Sequence, residues 1–387
     1  MDSKVTKVNI YLTTGMALFA MFFGAGNVIF PLAVGRDAGD YIYTTILAYL
    51  VSGVGISFIG LYALTLYRGN YWEFFSCLGR FPAFLVVTLV IMIIGPLFAA
   101  PRTEIVTFHS LSPFMPTILQ ESNVFSIFFF SLTFFLVNSR LGLVHLIGRF
   151  ISPVKIIAFF ILIFVGLFLV HGDAQPTTTP WKSSLNQAFI TGYNTMDLLG
   201  AVFYCNVIYL SIYNKCKKAN INSQKEILSM TMKSCIVGSI LLSLIYTGLA
   251  LIAHHHSQAL INYSTPELVN GICAVVLGKY GSIFVCLCVF LACITTASAL
   301  AEVSTLYFYE SIFQRKIPKV ACLLIILVTM YGMSILQFDG IMSLVVPILK
   351  YLYPGLVIYS IVMILSYHFK IRVPTRRNYL YQSDLKM

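Results

Sequence analysis

Charge is what this chain has least of. Only 10% of its 387 residues are Asp, Glu, Lys or Arg, and just 14 are acidic, against 58% hydrophobic and 14% aromatic residues. That balance excludes an ordinary water-soluble domain and describes a chain whose solvent is mostly lipid. Hydrophilic runs are scarce too, the longest being Asn214 to Glu226, Pro101 to Asn123 and the basic segment after Lys370. No soluble domain is expected from them. The nine cysteines form no CxxC pair, which argues against disulfides or a zinc site and for small packing residues. No cluster of Asp, His or Arg marks one membrane face, so a membrane-embedded enzyme acting on lipids or isoprenoids is a poor reading. His254, His255 and His256 are consecutive and point in different directions on a helix, without the usual metal-ligand spacing.

What is present is a series of apolar runs near the roughly 20 residues that cross a bilayer as a helix. They cover Val8–Val34, Tyr41–Tyr67, Phe84–Ala100, Val124–Val137, Ile151–Val170, Ala188–Ile212, Ile227–Ala253, Gly281–Phe308, Val320–Leu336 and Ile341–Phe369. The fold class is therefore all-α, a polytopic membrane protein of about ten transmembrane helices, or eleven if Pro347 and Pro354 divide the last run. With the N-terminus cytoplasmic, 20 of the 25 Lys and Arg residues fall in inside segments and four outside, as the positive-inside rule requires. Both termini are expected in the cytoplasm, in the inner membrane, with residues 370–387 a basic cytoplasmic tail. The net charge of +11 then reflects topology and anionic lipid headgroups, and no nucleic-acid partner is needed. The first run is too long for a signal-peptide core and is read as a retained helix.

Ten spans divide into a transport domain, residues 1–369, of two five-helix halves at about 8–170 and 188–369. An odd number of helices per half forces opposite insertion, the 5+5 inverted repeat common in secondary transporters. The first span contains Phe22-Phe23-Gly24-Ala25-Gly26-Asn27-Val28-Ile29-Phe30-Pro31, and the sixth contains Gly192-Tyr193-Asn194-Thr195-Met196-Asp197. Both are hydrophobic runs interrupted by helix-weakening residues. Broken backbone survives at membrane depth only where protein buries it or it lines a cavity. A matched pair of broken helices, 1 and 6, therefore points to a substrate site between the halves. Its candidate residues are Gly24, Ala25, Gly26 and Asn27 with Gly192, Tyr193, Asn194 and Asp197.

Asp197 is an intramembrane carboxylate, costly by at least about 2.5 kcal/mol on insertion scales. Three roles compete for it: ligand of a substrate ammonium, proton carrier, or structural partner of unwound backbone. Span 8 carries Ala292-Cys293-Ile294-Thr295-Thr296-Ala297-Ser298, whose hydroxyls, with loose carbonyls of span 1, can supply hard oxygen ligands to a small cation. Helical hydroxyls more often bond their own preceding carbonyls. Glu302 and Lys350 are read as snorkelling or structurally paired charges, and Trp72 and Trp181 as interfacial anchors.

These motifs, with Gly95-Pro96-Leu97-Phe98-Ala99-Ala100-Pro101-Arg102-Thr103, resemble the branched-chain amino-acid carriers, the sodium-coupled importers of leucine, isoleucine and valine. The resemblance spans all ten helices, and the four motifs fall in the family's order and spacing. It implies a LeuT-type fold, no cofactor, and sodium as coupling ion. The implied ligands are the carbonyls of Ala20, Phe23 and Ala292 and the hydroxyls of Thr295 and Thr296. The substrate carboxylate would sit against the amides near Ala25 and Gly26, as an anion at a half-helix N-terminus. Family members usually continue through about two further spans, and Glu104 follows the Pro-Arg-Thr motif without an assignable role. The expected activity is import of a branched-chain amino acid by alternating access, with lipid and the small-molecule substrate as partners. A proton-coupled carrier, a transport-derived sensor and an inactive remnant are the alternatives.

Overall fold

A computed structural model describes the backbone of residues 3–139, 143–176 and 180–369, and the side chains of 7–139, 154–176 and 180–369. The basic tail expected at 370–387 lies outside the described residues. Within them the chain is helical throughout, with no strand. The helices are α1 (Ser3–Phe22), α2 (Gly26–Arg36), α3 (Ile42–Leu50), α4 (Ile56–Leu66), α5 (Tyr71–Phe75), α6 (Arg80–Met92), α7 (Ala99–Leu111) and α8 (Ser122–Asn138). They continue with α9 (Leu143–Phe168), α10 (Trp181–Tyr193), α11 (Asp197–Lys218), α12 (Gln224–His255), α13 (Ser257–Leu260), α14 (Leu268–Tyr307), α15 (Lys319–Ser334) and α16 (Gln337–His368).

Six helical stretches are long and apolar enough to cross a membrane, and α1 with α2 makes a seventh, bent by 72° at its break. Three shorter apolar helices accompany them: α8, Val154–Phe168 of α9, and α15. Leu47, Phe81, Phe164, Val328 and Ile358 are exposed on the outside of the bundle, where an apolar surface meets lipid rather than water. Many of the Ser and Thr hydroxyls buried inside turn back on their own helices. Thr65 donates to the Leu61 carbonyl at 2.7 Å and Thr107 to the Thr103 carbonyl at 2.6 Å, so they need no partner across an interface.

One expected boundary changes, and one alternative falls away. Span 3 does not stop near Ala100. Backbone at Gly95 (φ −89°, ψ −107°) breaks the helix, and a residue with a Cβ there would overlap the Ser304 hydroxyl. The helix restarts at Ala99 with Pro101 in its first turn, where a missing N–H is harmless, and runs to Leu111. Arg102 and Glu104 are thereby carried into the bundle, 3% and 1% exposed, rather than left at its outer edge. The last run is one continuous helix, α16, through both Pro347 and Pro354, so the division into two pieces does not occur. At the centre, α1 and α2 pack on α12, α14 packs on α7 and α9, and α11 packs on α4.

Candidate functional site

Both expected breaks are present and meet at one place. α1 ends at Phe22, and residues 23–25 are non-helical before α2 begins at Gly26. In the second half, Asn194, Thr195 and Met196 separate α10 from α11, with Met196 in the left-handed region at φ 61°. Each break leaves a half-helix ending in carbonyls and another starting in amides without intrahelical partners. In hydrocarbon those groups must be met by side chains.

The carbonyl ends are met by cations. Lys155 Nζ, on α9, donates to the carbonyls of Phe23 at 3.0 Å and Ala20 at 3.2 Å, and lies 5.4 Å from the centre of the Phe23 ring. Arg102 Nη1, on α7, donates to the Asn194 carbonyl at 2.7 Å, its guanidinium 4.9 Å from the Phe30 ring centre. A positive charge at a helix C-terminus complements the negative end of the helix dipole. Thr195 Oγ1 takes a further carbonyl, that of Gly192, at 2.9 Å.

The amide ends differ. Asp197 is the first residue of α11 and so puts a carboxylate at a helix N-terminus, the favourable end. Its Oδ1 accepts from Asn27 Nδ2 at 2.8 Å and its Oδ2 from the Tyr246 hydroxyl at 2.8 Å. Asn27 Nδ2 also contacts the Tyr246 oxygen, and Asn27 Oδ1 accepts the Gly24 amide at 3.4 Å. The carboxylate of one break is thus bonded to the other break, and among the described residues it forms no ion pair. At the start of α2 the amides of Val28 and Ile29 both return to the Ala25 carbonyl at 3.2 Å, while no carboxylate side chain caps the amides before them. Arg102 is beside this end. A Cβ on Gly26 would come 2.5 Å from Nη2, so only glycine admits the guanidinium there. Arg102 Nε is buried with no hydrogen-bond partner among the described residues.

Between the breaks lies a cavity of about 40 Å³. Gly24, Ala25, Gly26, Asn27, Thr195 and Asp197 line its polar side, with Arg102 and Thr296. Phe22, Ile94, Met196, Tyr204 and Leu300 line the rest. It has room for a few waters and is too small for an amino acid, so the molecule is in a contracted state. A larger hollow of about 730 Å³, bounded by Phe58, Phe160, Ile163, Ile236, Ile240 and Leu244, is mostly apolar and has no charged residue in its lining.

The candidate substrate residues of span 1, Gly24 to Asn27, thus all reach the cavity, and Asp197 joins them. Three from span 6 do not line it. Gly192 packs on Ser52 and Gly53, Tyr193 stacks on Tyr353 at 4.5 Å between ring centres, and Asn194 offers its carbonyl to Arg102. Of the five oxygens implied for sodium, three already accept hydrogen bonds: Ala20 and Phe23 from Lys155, and Ala292 from Thr295 Oγ1 at 2.9 Å. Thr295 also reaches the Leu291 carbonyl at 2.9 Å. Thr296 lies against the Gly24 position. With the Lys155 ammonium seated on the Ala20 and Phe23 carbonyls, this set as arranged does not fit a sodium ion. Glu104 accepts from Ser126 Oγ at 2.9 Å, Lys350 is exposed and Glu302 half-buried, and His256 Nε2 meets the Gly166 carbonyl at 3.0 Å.

Lys155, Arg102 and Tyr246 were not legible as site residues. Lys155 falls inside the fifth apolar run yet reads as one more cytoplasmic charge, and Arg102 as an outside one; a basic residue inside a span was the signal in the first case. Tyr246 is one of 23 tyrosines and carries no local signature.

Residues 7–383 match the profile of a family described as branched-chain amino acid transport protein. A branched-chain amino acid carrier protein of Staphylococcus saprophyticus is 30% identical over 382 residues, covering 94% of this chain and 82% of that one. The branched-chain amino acid permease BrnQ of Bacillus subtilis is 28% identical over 364 residues, 91% of this chain and 80% of its own. The branched-chain amino acid transport system 2 carrier protein of Pseudomonas aeruginosa is 29% identical over 349 residues, with 89% and 78% covered. Among solved structures, the inward-facing conformation of Mhp1 superposes with a TM-score of 0.61 at 15% identity, over 90% of this chain and 75% of that one. MhsT in complex with L-phenylalanine gives 0.57 at 14% identity, over 92% and 88%. Identities this low speak for shared architecture alone, that of the LeuT-type transporters. The broken helix pair, the whole-length profile and the carrier relatives converge: the chain belongs to the branched-chain amino acid transport protein family, whose members are carriers and not enzymes.

Proposed function

We propose that this chain imports leucine, isoleucine and valine by alternating access, binding the substrate between the two helix breaks. The observation that carries the reading is the asymmetry of the four half-helix ends. Three are supplied with a charged side chain, Lys155, Arg102 and Asp197, while the amide end of α2 has an arginine beside it and no anion. A substrate carboxylate supplies the missing charge there. Its ammonium then faces Asp197, and its aliphatic side chain lies toward Phe22, Ile94 and Leu300. Opening of the contracted cavity admits it, and rocking of helices about the breaks exposes it on the other side of the inner membrane.

Accumulation requires a driving ion, and an inward monovalent cation gains about 2.3 kcal/mol per 100 mV. Sodium is the coupling ion that the family resemblance implies, but the oxygens implied for it do not fit the ion as they are arranged, with Lys155 on two of them. A proton carried by Asp197 is the second, favoured by two observations. The carboxylate has hydrogen-bond donors but no ion-pair partner, and three of the sodium oxygens are engaged. Labelled leucine uptake into proteoliposomes tests the whole reading. Accumulation above equilibrium, competed by isoleucine and valine, is expected; binding without accumulation would identify a sensor instead.

A further inference from the structure

A lysine buried in a membrane protein pairs with an opposite charge or with backbone carbonyls. Lys155 is 4% exposed, and among the described residues no carboxylate lies within ion-pair distance of it. Its partners are those an alkali cation would choose: two main-chain carbonyls and the face of an aromatic ring. An ammonium is a compact point charge with three donors, close in kind to a small metal ion. The carbonyls belong to the last turn of α1 and the residue after it, where the helix dipole is negative. Phe159, one turn along α9, packs edge-on against Phe23 at 5.1 Å between ring centres. The lysine is therefore held by its own helix against the break, and the position is built rather than incidental.

A sodium ion on the same carbonyls would sit within a few ångström of a second positive charge in a medium of low dielectric, where such repulsion is strong. The two cations exclude each other. We infer that the Lys155 ammonium is the resident cation of the α1 break, a tethered substitute for a coupling sodium ion, so that the hinge is held without sodium. Two of the oxygens that the family resemblance implies for sodium, the Ala20 and Phe23 carbonyls, thus receive a cation that the chain supplies covalently. Removing the ammonium frees the Ala20 and Phe23 carbonyls, the latter next in the chain to Gly24 and the Thr296 that lies against it, and creates a position that takes sodium from solution.

The inference rests on the transport reading only for its uptake arm. Thermal unfolding of the purified protein in detergent, in sodium chloride and in choline chloride of equal strength, tests it without any substrate. The wild type is expected to unfold at the same temperature in both salts. Lys155→Ala is expected to unfold earlier in choline and to be raised by several degrees in sodium; Lys155→Gln, which keeps the side chain's bulk without its charge, should show the same salt response if the alanine variant does not fold. Sodium stabilisation of the wild type, or variants that fold but ignore sodium, would overturn the inference. In proteoliposomes, wild-type leucine uptake should change less than twofold when choline replaces sodium, and a tenfold loss would also overturn it. Absence of leucine uptake in either salt would count against the proposed transport and leave the unfolding comparison to decide the role of Lys155.

Discussion

The two helix breaks solve one problem with different means. The first turns the chain through 72° over three residues, Phe23, Gly24 and Ala25, and a lysine from α9 holds its carbonyls. The second is gentler: α10 and α11 still count as one stretch from Trp181 to Lys218, turned by a single left-handed residue, Met196, and held by Arg102 and Thr195. The second break also brings its own anion, Asp197, whereas the first leaves an amide end with only Arg102 nearby. The difference teaches where a ligand belongs. Both ends of break two have a charged side chain of the protein, Arg102 and Asp197, and the proposed site puts the substrate's carboxylate at the end of break one that has no anion.

The largest effect should come from removing the link between them. Asp197→Ala removes the acceptor that Asn27 Nδ2 and the Tyr246 hydroxyl share, at about 1–3 kcal/mol for each bond. Leucine uptake at subsaturating substrate should fall by at least roughly 30-fold; a fall below threefold would mean the breaks are not coupled through this carboxylate. Arg102→Met takes the charged donor from Asn194 and the cation from the start of α2 together. A hydrogen bond to a charged group is worth about 1.5–3 kcal/mol, so leucine affinity, read by equilibrium binding, should drop about tenfold to a hundredfold. Unchanged affinity would show that the α2 amide end is not the carboxylate site.

Tyr246→Phe is milder, because Asn27 still serves the carboxylate. About tenfold weaker uptake is expected, near the lower end of the charged hydrogen-bond range, with helical content by circular dichroism unchanged. The smallest contrast is between substrates. Leucine and valine differ by one methylene, worth about 1–3 kcal/mol in an apolar pocket, so competition assays should separate them by a modest factor with both still transported. Complete rejection of valine would require a shape filter that the lining of Phe22, Ile94 and Leu300 does not suggest.

How much of this was legible in the sequence follows from where each signal resides. The breaks announce themselves locally, since Gly24, Gly26 and Asn27 in an apolar run, or Asn194 and Asp197 in another, contradict their surroundings over a few residues. Composition and hydropathy likewise expose the helical membrane class. The partners of the breaks are another matter. Lys155 lies 132 residues from Phe23, and Arg102 lies 92 from Asn194, so only the packing of α9 on α14 and of the kinked α7 into the bundle brings them together. The kink itself misled at span 3: the polar run from Pro101 reads as lying beyond the span, whereas the helix resumes at Ala99 because Pro101 is at home in a first turn. Gly192 and Tyr193 share the motif of the second break but face other helices, since neighbours in sequence point different ways on a helix.

The placement of the substrate is tested most directly by a structure determined with leucine bound. The leucine carboxylate should lie within hydrogen-bonding distance of the Ala25 or Gly26 amide and of the Arg102 guanidinium, with the ammonium toward Asp197 and the cavity enlarged around it. Leucine found elsewhere, or with its carboxylate directed away from the start of α2, would contradict the assignment of the first break as the incomplete half of the site.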